Sequence, residues 1–124
     1  MNICFIGGGN MAEALIKGLL AQGHPAGSIL VADPSPERQA LLRDVHRVNV
    51  LADNRAVTAG CRLLVLAIKP QLVPAVVPEL AGAVTAEHLT VSILAGTATA
   101  TLERLLGGMA RVVRAMPNTP ALVG

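Results

Sequence analysis

The chain has 124 residues, enough for one domain with its own core and no need of disulfides or metals. Apolar residues make up 52% and charged residues 15%, which excludes an intrinsically disordered chain. The net charge of +2 comes from scattered basic residues, and there is no Trp or Tyr and one Phe; no nucleic-acid footprint, membrane patch or base-stacking platform is expected.

Two periods alternate along the chain. Residues 3–6 are a short continuous apolar run, read as a strand buried on both faces. It ends in three glycines. From residue 10 to 22 the apolar residues fall at helical spacing. Asn10 is the expected N-cap, with Glu13 completing a variant of the capping box, and Gly23 closes the helix. Residues 29–32 form a second strand. Ser35 then caps a second helix, with Pro36 at its first position, running to about Asp44. A weaker third strand is expected at 48–50, a short helix at 54–59, and a fourth strand at 63–67. Residues 71–80 read as helical despite Pro74 and Pro78. A fifth strand is expected at 89–94, a helix capped by Thr99 at 99–106, and a sixth strand at 111–115. Strands alternating with helices give right-handed crossovers and a parallel sheet. The fold class is therefore α/β, a Rossmann-type doubly wound parallel sheet, as a single domain over 1–124.

The sharpest motif is Gly7-Gly8-Gly9-Asn10-Met11-Ala12, a G-x-G-x-x-A placed between the first strand and the first helix. Gly7 permits the turn out of the strand. Gly9 lets backbone approach a pyrophosphate. Ala12 lets the helix pack near the sheet. Backbone N–H groups at the helix head then face the phosphates. Asp33 ends the second strand about twenty positions later, where an acidic residue can accept the ribose hydroxyls and favour NAD. Ser35 and Arg38 follow and favour a 2′-phosphate. The preferred cofactor is NADP(H), with NAD(H) possible. Ala67-Ile68-Lys69-Pro70 lies at the carboxyl end of the fourth strand, the edge where open parallel sheets bind ligands, and Lys69 places a cation there. Ala95-Gly96, after the fifth strand, offers small residues against which a flat ring can lie.

No metal site is expected, because His24, His46 and His88 have no paired spacing and read as surface residues. Cys4 and Cys61 read as buried or half-buried free thiols. Met1-Asn2 leads directly into the first strand without a signal-peptide pattern, so a reducing, cytoplasmic setting is expected. The strongest apolar run, 63–68, is too short to span a bilayer. No catalytic acid can be named.

Taken together, the residues Phe5-Ile6-Gly7-Gly8-Gly9-Asn10-Met11-Ala12, Ala67-Ile68-Lys69-Pro70-Gln71, Ser92-Ile93-Leu94-Ala95-Gly96 and Arg114-Ala115-Met116-Pro117-Asn118-Thr119-Pro120 resemble the pyrroline-5-carboxylate reductase family. The resemblance implies reduction of a cyclic imino acid, 1-pyrroline-5-carboxylate, to L-proline with NADPH or NADH. It implies cofactor contacts from Ile6 to Met11, from Ala67 to Pro70, at Ala95 and Gly96, at Asn54, and at Ser35. It further implies that the helical domain through which the family homo-oligomerises, and which supplies most of the imino-acid site, is not within these 124 residues, so that the chain alone turns over no imine. Two positions depart from the pattern. Asp33 disfavours a 2′-phosphate, and Arg47 stands where the turn into the third strand suits glycine. Another small nicotinamide-dependent reductase and a nucleotide-binding module without turnover stay open as alternatives.

Overall fold

The computed structural model describes residues 2–108 and 110–115; the segment 116–120 lies outside the described residues. Six strands form one parallel sheet: β1 (Ile3–Ile6), β2 (Ile29–Ala32), β3 (Asn49–Leu51), β4 (Leu63–Leu66), β5 (Leu89–Ser92) and β6 (Val112–Arg114). Their order is β3-β2-β1-β4-β5-β6, and every neighbouring pair is parallel. This is the expected doubly wound architecture. β1 lies at the centre and is buried along its whole length, which is why it reads as continuous rather than alternating hydrophobicity.

Successive β1 residues point to opposite faces. Ile3 and Phe5 join Val31 and Val65 under α1 (Asn10–Ala21) and α2 (Pro36–His46). Cys4 and Ile6 join Leu64 and Leu66 under α3 (Asn54–Ala59), α4 (Val73–Val76) and α5 (Thr99–Leu105).

Several boundaries differ from the sequence reading. The stretch expected as one helix over 71–80 is a 3-10 turn (Pro70–Leu72), a single α turn (α4) and a second 3-10 turn (Val77–Leu80). Pro70, Pro74 and Pro78 recur every fourth residue. Each lacks the N–H an α-helix would donate, and each ring crowds the carbonyl four residues back, so the chain restarts at each proline. β5 ends at Ser92 rather than at Leu94, because the Ser92 hydroxyl accepts the Leu94 N–H at 3.2 Å and turns the chain. β3 is shifted by one residue, α2 continues to His46, and the N-cap of α5 is Ala98, with no side-chain bond, rather than Thr99. Arg47 has φ 63° and ψ 20°, the left-handed conformation that glycine would adopt without strain.

Candidate functional site

β1 and β4 are neighbours, and the chain winds away from them in opposite directions. At the carboxyl ends of these strands that reversal leaves a crevice. A cleft of about 490 Å³ opens there. Gly7, Gly8, Gly9 and Asn10 form one side. Asp33, Ser35 and Arg38 extend it from β2 into α2, and Ala67, Ile68 and Lys69 close it from β4. Asn54, the first residue of α3, also lines it.

The three glycines differ in what the fold demands of them. Gly7 has φ +102°, and its N–H donates to the Ala32 carbonyl at 2.8 Å. A Cβ there would stand 2.7 Å from the Ala67 carbonyl oxygen. Gly8 is buried; a Cβ would meet the Leu42 side chain at 2.7 Å. Gly9 is extended, with φ −76°, and a Cβ would meet nothing within 4 Å. Nothing in the fold keeps a side chain off Gly9, and the space above it, at the head of α1, is open.

Gly9, rather than Asn10, is the N-cap of α1, and no side chain caps it. The first helical bond runs from the Glu13 N–H to the Gly9 carbonyl. The N–H groups of Asn10, Met11 and Ala12 therefore stand at the helix head outside the intrahelical ladder. Capping by Asn10 would fill that position with its own side chain; its absence leaves the donors for an anion. The capping-box role expected of Glu13 is also absent, because its carboxylate is used elsewhere.

Asp33 turns back onto the loop. Its Oδ2 accepts the Gly8 N–H at 2.8 Å and its Oδ1 accepts the Ser35 N–H at 2.8 Å. Ser35 caps α2 as expected, its hydroxyl accepting the Arg38 N–H at 3.3 Å. The Arg38 guanidinium donates from Nε to the Gly8 carbonyl at 2.7 Å and from Nη2 to Glu13 Oε1 at 3.0 Å. Gly8 is thus held through both its N–H, by Asp33, and its carbonyl, by Arg38. The second Glu13 oxygen lies 2.8 Å from His46 Nε2. That bond above all, with the hydrogen bond and charge of Arg38 adding to it, holds the Glu13 carboxyl below its ordinary range against the opposing effect of burial.

Some expected residues lie outside the cleft wall. Ile6 is fully buried beneath the loop, and Met11 is exposed on the first turn of α1. Pro70, Ala95 and Gly96 do not line it either. Lys69 is exposed at its rim, and Asn54 Nδ2 donates to Glu79 Oε2 at 3.4 Å. Sequence reasoning missed the apolar side, Leu72 and Val76, four residues apart just after Lys69-Pro70. Leu72 is 44% exposed, and an apolar pair at that spacing beside the ligand-binding edge was the available signal.

The histidines are not simple surface residues. All three are partly buried: His46 binds Glu13, His88 Nε2 contacts the Thr58 carbonyl at 2.9 Å, and His24 Nε2 is buried without a hydrogen-bond partner among the described residues. His46 ends α2, while His24 and His88 lie in the connections after α1 and before β5, and tertiary contact covers rings that the sequence leaves near turns. Cys4 and Cys61 are free and buried, as read. No group of metal ligands occurs among the described residues, and no described helix is long and apolar enough to cross a membrane. A second depression, of about 660 Å³, is lined by Asn2, Cys61, Arg62 and His88. These residues precede their strands, so it lies at the amino edge, away from the glycine loop.

Residues 2–96 match the family model described as NADP oxidoreductase coenzyme F420-dependent. The chain is 47% identical over 121 residues to pyrroline-5-carboxylate reductase of Pseudomonas aeruginosa, covering 98% of this chain and 44% of that protein. Among solved structures it resembles a pyrroline-5-carboxylate reductase from Coxiella burnetii, with TM-score 0.91, 38% identity, and coverage of 98% of this chain and 46% of that one. It also resembles the Plasmodium falciparum pyrroline carboxylate reductase with NADP bound, with TM-score 0.84, 26% identity, and coverage of 99% and 44%. The chain spans less than half the length of each of these relatives.

Proposed function

This chain belongs to the family of NADP oxidoreductases, coenzyme F420-dependent, and on that premise we propose that it holds NADP(H) for the reduction of 1-pyrroline-5-carboxylate to L-proline. One observation carries the reading. The glycine loop, the head of α1 and the β2–α2 corner open on a single cleft at the point where the strand order reverses. Identity of 47% to a reductase of that name supports the choice of imino-acid substrate.

When bound, the nicotinamide supplies the hydride that reduces the C=N bond. The chain's own residues bind and orient it. Gly7, Gly8 and Gly9 bring backbone close to the pyrophosphate, with Ile6 as the buried base of the loop and the Asn10 and Met11 N–H groups as donors. Ser35 and Arg38 receive the 2′-phosphate. Asp33 does not oppose it strongly, because both of its oxygens already accept backbone N–H groups; NAD(H) remains a weaker ligand. Asn54, at the head of the helix that follows the edge strand β3, borders the adenosine half; Ala67, Ile68 and Lys69 border the nicotinamide half from the end of β4, and Pro70, Ala95 and Gly96 stand outside the cleft wall, where the nicotinamide end would extend past it. A cytoplasmic enzyme that assembles into homo-oligomers through the remaining length of its relatives belongs to the same proposal.

Gly9→Val tests it. The backbone conformation suits any residue and a Cβ meets nothing, so the variant keeps its fold while filling the pyrophosphate cradle. Calorimetric titration of NADPH should show a loss of about a hundredfold or more, near 3 kcal/mol, in a variant that still unfolds cooperatively. Equal affinity in variant and parent overturns the reading.

A further inference from the structure

Arg38 stands in the cleft wall with its guanidinium already held. Nε is bound to the Gly8 carbonyl and Nη2 to Glu13, while Nη1 has no partner among the described residues. Behind Glu13 stands His46, from the last turn of α2. Neither Glu13 nor His46 lines the cleft. The three side chains are mostly covered, 23% exposed for Arg38, 21% for Glu13 and 10% for His46. A flexible cation is thereby fixed in one conformation, with two donors used inside the protein and others left for a ligand.

We infer that Glu13 is a positioning residue for cofactor choice: backed by His46, it holds Arg38 ready for the 2′-phosphate that distinguishes NADPH from NADH. The inference rests on the cofactor reading above. An arginine without such a hold loses much of its rotamer freedom when it meets a phosphate, and Glu13 removes that loss beforehand. The carboxylate also subtracts positive charge, so position and charge pull in opposite directions. Glu13 acts from behind the guanidinium, farther from the phosphate than Arg38 itself, and through partly solvated surroundings that weaken its repulsion. Position therefore wins.

Binding of NADPH and NADH is measured separately for the parent chain and for Arg38→Ala, Glu13→Ala, Glu13→Gln and His46→Ala. Glu13→Ala should weaken NADPH by about tenfold while NADH changes by less than about twofold. Glu13→Gln keeps an amide oxygen for Nη2, and NADPH affinity should stay within about twofold of the parent. His46→Ala, remote from the cleft, should weaken NADPH by about threefold through Glu13 alone. Should Glu13→Ala fail to fold, His46→Ala and Glu13→Gln decide between themselves. Parallel losses for both nucleotides overturn the inference in favour of a purely structural role. Tighter NADPH binding by Glu13→Gln overturns it in favour of charge. Selectivity lost in Arg38→Ala but retained in Glu13→Ala overturns this inference alone. A parent chain that binds neither nucleotide overturns the cofactor reading and this inference with it.

Discussion

One face of the sheet carries α1 and α2, helices of 12 and 11 residues; the other carries α3, α4 and α5, of 6, 4 and 7 residues. α2 has the usual local supports, the Ser35 cap and Pro36 at its first position, while α1 has no side-chain cap. Helices as short as α3, α4 and α5 are not stable by themselves in water. They, and the 3-10 turn that follows α4, exist because Val57, Val73, Val77, Leu80, Leu102 and Leu106, all at most 5% exposed, are buried in the core on this face. One face carries helices long enough for local propensity to contribute beside packing. The other, apart from the Asp53 cap at the head of α3, is organised by packing. The division extends to chemistry: the glycine loop leads into α1, Asp33 and Ser35 lead into α2 and Arg38 lies in its first turn, so the polar hydrogen-bonded corner of the cleft is built on the face that carries the longer helices.

The largest expected effect tests the packed face. Leu80 ends the second 3-10 turn and is fully buried. Leu80→Ala should cost about 3–5 kcal/mol in denaturant unfolding, the range for a leucine cavity in a close-packed core. A loss below about 1 kcal/mol would mean that this face is not held by its side chains. A smaller pair separates the faces directly. Lys17 is exposed in the middle of α1 and Ala75 is exposed in α4. Lys17→Gly should cost about 0.7–1 kcal/mol through lost helix propensity. Ala75→Gly should cost less than half as much, because the flanking prolines rather than propensity set that backbone. Equal costs would erase the distinction. The smallest effect has the opposite sign. Arg47 carries the left-handed φ of 63° where α2 hands over to β3. Arg47→Gly should stabilise by about 0.5–1 kcal/mol, the αL strain relieved less the extra chain entropy of glycine. Destabilisation would show that the arginine side chain contributes more than its backbone costs.

Much of this molecule was legible in the amino-acid order because the relevant forces are local. The apolar run of β1, the glycines after it, the Ser35-Pro36 cap and the strained Arg47 each follow from steric and hydrogen-bonding rules that span only a few residues. The strand–helix alternation then leaves few topologies besides a doubly wound sheet. Three matters were beyond such rules. The helix expected over 71–80 was divided by prolines at a spacing whose effect depends on whether packing can hold the fragments. The direction of the Asp33 carboxylate was settled by the Gly8 N–H, 25 residues away in sequence. The joining of Glu13 to Arg38 and His46, 25 and 33 positions along the chain, required α1 and α2 to lie side by side on one face. Sequence periodicity says which side of a helix is buried. It does not say which polar group on the next helix will be within 3 Å, because that depends on the rotation and offset of two packed helices, and these are set by the whole core beneath them.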